Sequence, residues 1–181
     1  RLAVSPFHPE VLLFGSRRDG LQRSSDRGET WTTISPDLTS NEPARQDRVK
    51  TGGLTPDVTG AENNTTLIAI QPSPIAEGVL WTGSDDGRVH LTRDGGGSWQ
   101  SIEKRLPGAP KDGYVPHICA SQHAPGRAFV VIDNHRNGDQ QGYAWRVDDF
   151  GARASRLALK GVDGYALVLL EDPVEERLLY L

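Results

Sequence analysis

Carboxylates recur in the segments between strand-like runs: Asp37, Asp57, Glu62, Asp85, Asp86, Asp112, Asp133 and Asp139. Two carboxylates held across a sugar ring can break a glycosidic bond, about 5–5.5 Å apart for retention or about 6.5–9.5 Å apart for inversion. Asp85, Asp86 and Asp133 are the candidates for such acid–base work. Asp85 and Asp86 are adjacent and precede Gly87, so each also fits a turn aspartate that bonds its own backbone. Asp133 opens a loop that also holds His135 and Arg136. Those three, with Asp57 and Glu62 of a long loop, are the candidate ligand contacts.

Other chemistries need patterns that this chain lacks. His117, His123 and His135 fall on different runs, with no zinc-like spacing. The loop from Asp133 to Asp139 opens like a calcium loop but has no acidic residue at its end. Gly95-Gly96-Gly97 is not followed by the Lys-Ser/Thr of a phosphate loop. Neither a metal nor a cofactor is expected. Cys119 is the single cysteine and sits in the apolar run Ile118-Cys119-Ala120, so it reads as a small core residue.

The elements that must position these groups come from a repeat. Ser24-Ser25-Asp26-Arg27-Gly28-Glu29-Thr30-Trp31 and Thr92-Arg93-Asp94-Gly95-Gly96-Gly97-Ser98-Trp99 share one plan: Ser/Thr, Asp, Gly, Ser/Thr, Trp. A worn third copy keeps Asp149 and Gly151 and has lost the hydroxyls and the Trp. The plan predicts a hairpin turn. Its Asp accepts backbone N–H groups downstream, and its Gly takes a positive φ. The Trp then opens the return strand. Burial of its ring is expected, and losing a buried Trp costs roughly 3–5 kcal/mol.

Around each turn lie four short apolar runs rich in β-branched and aromatic residues, the layout of a propeller blade. The fold class is therefore all-β, a partial β-propeller of four-stranded antiparallel blades, about three and a half in number. Blade one covers about residues 2–34, a long insertion 35–66, blade two 67–103 and blade three 117–159. The start of a fourth covers 166–181, all within one domain. A chain with no Met that begins and ends inside strand-like runs reads as a piece of a longer protein that carries the remaining blades.

In such a blade the turns between strands 1–2 and 3–4 share one end of the sheet. The 2–3 turns and the crossings to the next blade share the other. The Asp turns fall at the first end. Arg17 to Asp19, Asp85-Asp86, the loop 133–142 and the long insertion fall at the second. A connection over roughly 12–15 residues is commonly functional, so function is expected at the second end.

Composition narrows the partners. Net charge is −4 and the pI about 5.7, which speaks against a nucleic-acid binder. No apolar run is long enough to span a membrane.

The repeated turn resembles the Asp-box, or BNR repeat, of sialidase-like, xyloglucanase-like and sortilin-like propellers. Ser24, Asp26, Gly28, Thr30 and Trp31 match it, as do Thr92, Asp94, Gly96, Ser98 and Trp99, with Asp149 and Gly151 in the third copy. In those families the box is structural. The segments Ile34-Ser35-Pro36-Asp37-Leu38-Thr39, Gly52-Gly53-Leu54-Thr55-Pro56-Asp57 and Ser84-Asp85-Asp86-Gly87 resemble bacterial secreted sortilin-like or "BNR-repeat glycosyl hydrolase" proteins. Lys104-Arg105-Leu106-Pro107 is the nearest approach to a sialidase motif and lacks its aromatic residue. The resemblance implies a secreted or periplasmic location. It leaves three functions open: a module binding polysaccharide or protein on the long-loop face, a glycoside hydrolase using an acidic pair there, or a sorting or assembly scaffold. With Tyr114 and Tyr143 as the obvious local aromatics, binding is the leading expectation.

Overall fold

The computed structural model describes residues 1–16, 19–43, 46 and 65–181. Three four-stranded antiparallel sheets follow one another along the chain, each in sequence order. The first holds β1 (Leu2–Val4), β2 (Leu12–Gly15), β3 (Leu21–Ser24) and β4 (Thr32–Thr33). The second holds β5 (Leu67–Pro72), β6 (Leu80–Ser84), β7 (Val89–Thr92) and β8 (Gln100–Ser101). The third holds β9 (Tyr114–Ala120), β10 (Ala128–Asp133), β11 (Tyr143–Asp148) and β12 (Arg153–Arg156). A two-stranded sheet of β13 (Leu170–Glu171) and β14 (Leu179–Tyr180) ends the chain. This is the partial propeller of about three and a half blades that the repeat predicts.

The strands read as their positions require. β6 and β10 lie inside sheets covered on both faces, and every residue in them is buried. Continuous apolar runs suit strands with no wet face. β12, at an outer edge, is Arg-Ala-Ser-Arg and largely exposed. Three clusters fill the gaps between blades. Leu13, Leu21, Leu38, Leu67, Ile70 and Leu80 join blades one and two. Trp81, Val89, Ile102, Val115, Ile118, Val130 and Trp145 join blades two and three. Phe129, Val131, Ala166 and Leu169 join blade three to the fourth.

The repeated turn closes around its aspartate. Asp26 Oδ1 accepts the Thr30 N–H at 2.9 Å and the Ser24 hydroxyl at 2.7 Å, and Oδ2 accepts the Thr30 hydroxyl at 2.6 Å. Asp94 repeats this with Ser98 N at 2.8 Å, Thr92 Oγ1 at 2.7 Å and Ser98 Oγ at 2.7 Å. Donors aimed at the charged form hold both carboxyls down at about 2. The Thr30 hydroxyl contributes most at Asp26, and the Ser98 hydroxyl at Asp94.

The residue after each Asp takes a positive φ: Arg27 (62°), Gly95 (68°) and Phe150 (53°). Its N–H bonds back to the 1–2 turn of its own blade, at Glu10 O (3.0 Å), Gly78 O (2.9 Å) and Gly126 O (2.9 Å). The third copy therefore keeps the backbone link, although the Asp149 carboxylate turns away to Arg153 at 2.7 Å.

The glycine of the turn meets the preceding blade. A Cβ on Gly96 would lie 2.5 Å from Ile34 O, and one on Gly151 would lie 2.3 Å from Ile102 Cδ1. Trp99 adds a bond from its indole N–H to Ile34 O at 3.0 Å. Within this chain, where blade one is the first, Trp31 is 41% exposed and donates to Gly28 O of its own turn. In the fourth unit pairing runs over Leu170 and Glu171, opposite Tyr180 and Leu179.

These contacts predict unequal costs for the same substitution. Gly28 and Gly96 both have positive φ, but a Cβ on Gly28 would meet nothing closer than 3.6 Å. Within this 181-residue chain Gly96→Ala should cost about 1–3 kcal/mol more than Gly28→Ala in urea denaturation, because Ile34 of blade one backs Gly96. Equal costs would show that φ alone matters.

Candidate functional site

The 2–3 turns and the crossings meet at the end of the sheets away from the Asp turns. Leu67 N donates to Ser16 O at 3.4 Å, and Asp85 N donates to Thr66 O at 3.0 Å. A Cβ on Gly87 would lie 2.9 Å from Asp112 Cα, so the Asp85–Asp86 turn lies flush against the next crossing. Tyr114 pairs with Asp133 across β9 and β10, and the Arg136 guanidinium sits 4.7 Å from the centroid of its ring. The candidate acids of both turns thus share one end of the fold with Tyr114, His135 and Arg136.

The three candidate acids are not equivalent. Asp86 is 1% exposed; its Oδ1 accepts the Ser84 hydroxyl, and its Oδ2 accepts Ser40 N at 2.7 Å. One oxygen closes its own turn, and the other ties the turn to the crossing from blade one. Asp133 is 2% exposed; its Oδ1 accepts His135 N at 3.0 Å, and Oδ2 lies 2.5 Å from His135 Nδ1. Asp85 is half-buried, and Oδ1 accepts Thr66 N at 2.7 Å. Its carboxyl is pushed up to about 6. Loss of hydration is the main cause and the Asp86 charge adds to it, while the Thr66 N–H and the Arg136 charge pull the other way. Asp85 is thus the acid of this group held partly protonated near neutrality.

The loop between β10 and β11 is braced from within. Asp139 accepts Asn134 Nδ2 at 3.0 Å, Gln141 N at 3.0 Å and Tyr143 OH at 2.8 Å. These donors lower its carboxyl below the usual range, that of Asn134 most. Asp133 and Asp139, the two acids of the calcium-like pattern, both serve protein donors. Among the described residues no three His, Cys, Asp or Glu side chains converge on a point that could hold a metal ion. His117 lies in β9, where burial is the main force lowering its pKa.

Sequence reasoning missed Tyr165. Its ring stacks on His135 with centroids 4.5 Å apart and planes 24° apart. It comes from the crossing after blade three, and crossings fall at this end, so the strand plan held the signal for it. Tyr143 is buried, bonded to Asp139, and has the Arg156 guanidinium 4.5 Å from its ring centroid, so it braces the loop from beneath. Asp57 and Glu62 lie outside the described residues, as do Arg17 and Arg18.

A groove of about 410 Å³ opens at the opposite end, between blades one and two. Phe7, Leu13, Leu80 and Val79 line its apolar part, and His8 Nε2 meets Glu77 Oε1 at 2.9 Å on its rim. It holds none of the candidate acids. Asp85, the acid with the raised carboxyl, lies at the other end.

No family profile matches the chain. Among curated proteins it is 34% identical over 113 residues to a probable oligoxyloglucan-reducing end-specific xyloglucanase of Neosartorya fischeri. That alignment covers 61% of this chain and 11% of the relative. It is 31% identical over 142 residues to a xyloglucanase of Paenibacillus sp, covering 74% of this chain and 12% of the relative. The chain thus spans about one-ninth of the length of these relatives. Among solved structures it superposes on an ancestral GH74 enzyme with a TM-score of 0.67 at 12% identity, over 99% of this chain and 21% of that one. The GH74 xyloglucanase of Xanthomonas campestris gives a TM-score of 0.63 at 20% identity, over 99% and 26%. At these identities the structural likeness is one of fold, and the fold is that of a β-propeller.

The raised Asp85 carboxyl gives a stability signature. A folded pKa raised from 3.8 to about 6 favours folding fully below the unfolded value, and that contribution is lost as pH rises through about 6. Asp85→Asn removes the titration, and its side-chain oxygen still accepts the Thr66 N–H. The variant should be more stable than the parent by about 1–3 kcal/mol above pH 7, with the gap closing below about pH 4. Urea midpoints across that range read it, and a pH-independent gap would refute the burial of this carboxyl.

Proposed function

We propose that the chain supplies part of the polysaccharide-engaging face of an extracytoplasmic glycoside hydrolase acting on xyloglucan or a related β-glucan. The observation that carries this is the match to curated xyloglucanases at 29–34% identity over 61–74% of the chain. The turns and crossings at the end opposite the Asp turns form the face, and Asp57 and Glu62 of the long insertion are further candidate ligand contacts. The repeated turns are read as Asp-boxes with a structural role.

Asp85 suits the general acid of that reaction. Its half-buried carboxyl, held up at about 6, keeps a proton available for a glycosidic oxygen near neutral pH. Asp86 and Asp133 do not suit the second carboxylate, because both oxygens of each already serve protein donors. The partner acid belongs to another segment of the enzyme.

A second reading is a binding module that grips the glucan without cutting it. The single acid-like carboxyl among the described candidates favours it. The sorting or assembly scaffold rests on the turn motif alone.

The test is to incubate the intact protein carrying this chain with xyloglucan, and to measure reducing ends alongside binding. Release of reducing ends that falls about 10²–10⁴-fold in Asp85→Asn supports the hydrolase. Binding without release makes the chain part of a binding module, and neither result would leave the polysaccharide reading without support.

A further inference from the structure

Asp133 and His135 form a second chemical unit on this face, separate from the Asp85 carboxyl. Asp133 closes β10 and is 2% exposed, whereas the His135 side chain is 37% exposed. Asp133 Oδ1 fixes the backbone of the short 3-10 turn at His135 N, 3.0 Å away, and Oδ2 faces the ring at Nδ1, 2.5 Å away. A carboxylate oxygen there requires the proton on Nδ1. In the neutral ring Nε2 then keeps its lone pair, and it has no hydrogen-bond partner among the described residues. Tyr165 fixes the plane of the imidazole from one side, stacked at 4.5 Å, and is itself 41% exposed.

This is more than a turn needs. Asp86 is equally buried at the corresponding turn of blade two, and there a serine hydroxyl and a backbone N–H satisfy it. In blade three an imidazole takes the place of the hydroxyl and reaches outward. A buried carboxylate behind an imidazole sets both its tautomer and its direction.

We infer that His135 is a ligand-contacting residue of the face. Nε2 accepts a hydrogen bond from a sugar hydroxyl, the exposed side of Tyr165 packs on the same sugar, and Asp133 is the positioning residue behind them. Aromatic rings with one dry face and one polar edge suit the apolar side of a sugar ring. The inference rests on the reading of this face as polysaccharide-engaging and adds to it a named hydroxyl acceptor.

The chain has five histidines, so selective ¹⁵N labelling gives a simple spectrum in which loss of one signal pair in His135→Gln assigns His135. In mildly alkaline buffer the ligand-free full chain should show a protonated Nδ1 and a bare Nε2 at His135. Xyloglucan oligosaccharide should then move Nε2 of His135 ahead of the other histidines. His135→Ala should weaken oligosaccharide binding about five- to tenfold. Asp133→Asn should mix the tautomers in the free chain and weaken binding to a similar degree. A proton on Nε2 in the free chain overturns the inference. So does oligosaccharide binding that leaves Nε2 unmoved and is unchanged in His135→Ala, although the polysaccharide reading of the face then stands. Absence of any oligosaccharide binding sinks both.

Discussion

Successive blades meet where one of them has no side chain. At the Asp-turn end, Gly96 backs onto Ile34, and Gly151 backs onto Ile102. At the opposite end, a Cβ on Gly15 would lie 2.9 Å from Leu67 Cβ, and one on Gly83 would lie 2.5 Å from Val115 Cγ1. The inner strands of blades two and three therefore each run against a glycine of the blade before. Packing at native density leaves no room for even one methyl group at such points. The rest of the turn serves this contact. The Asp cage and the bond to the 1–2 turn hold the backbone still, so that its bare glycine faces the neighbouring isoleucine. Ile34 and Ile102 are fixed in their turn by N–H bonds to Leu21 O and Val89 O at 2.9 and 2.8 Å.

The repeat was legible in the sequence because this contact recurs at both junctions among the first three blades. Asp, Gly and the flanking hydroxyls act through bonds within eight residues, so spacing alone displays them. The fate of each Trp was not legible, because it depends on the neighbour. Trp99 reaches Ile34 of the blade before it, whereas within this chain Trp31 bonds inside its own turn. The worn third copy shows the converse. Its Asp149 no longer cages the turn, yet Phe150 keeps both the positive φ and the bond to Gly126 O. The backbone outlasts the side chain that marks it in the sequence.

The site was legible only as a region. The strand plan brings Asp85, Asp86, Asp133, His135 and Arg136 to one end, but spacing does not say which oxygens are already used. That is decided by groups distant in sequence: Ser40 N on Asp86, Thr66 N on Asp85 and Tyr165 on His135. Both neighbouring aspartates of one turn accept an N–H from the crossing out of blade one, yet Asp86 is buried and Asp85 stays partly open.

The two ends of the sheets divide the labour for a physical reason. The Asp-turn end must repeat the same geometry at each junction, so its turns are near copies and their polar groups bond one another. At the other end the connections need only return the chain, and each 2–3 turn differs: Ser16 to Gly20, Ser84 to Arg88, and the longer loop from Asp133 to Gly142. Chemistry at a site needs unlike groups brought together, which copies of one turn do not supply. The unlike turns supply a half-buried carboxyl from blade two, an imidazole with its back to a carboxylate from blade three, and aromatic rings from β9 and the last crossing. Strict repetition at one end is what frees the other end to vary. A buried acid in the variable turns of blades two and three, Asp86 or Asp133, then supplies locally the rigidity that repetition supplies elsewhere.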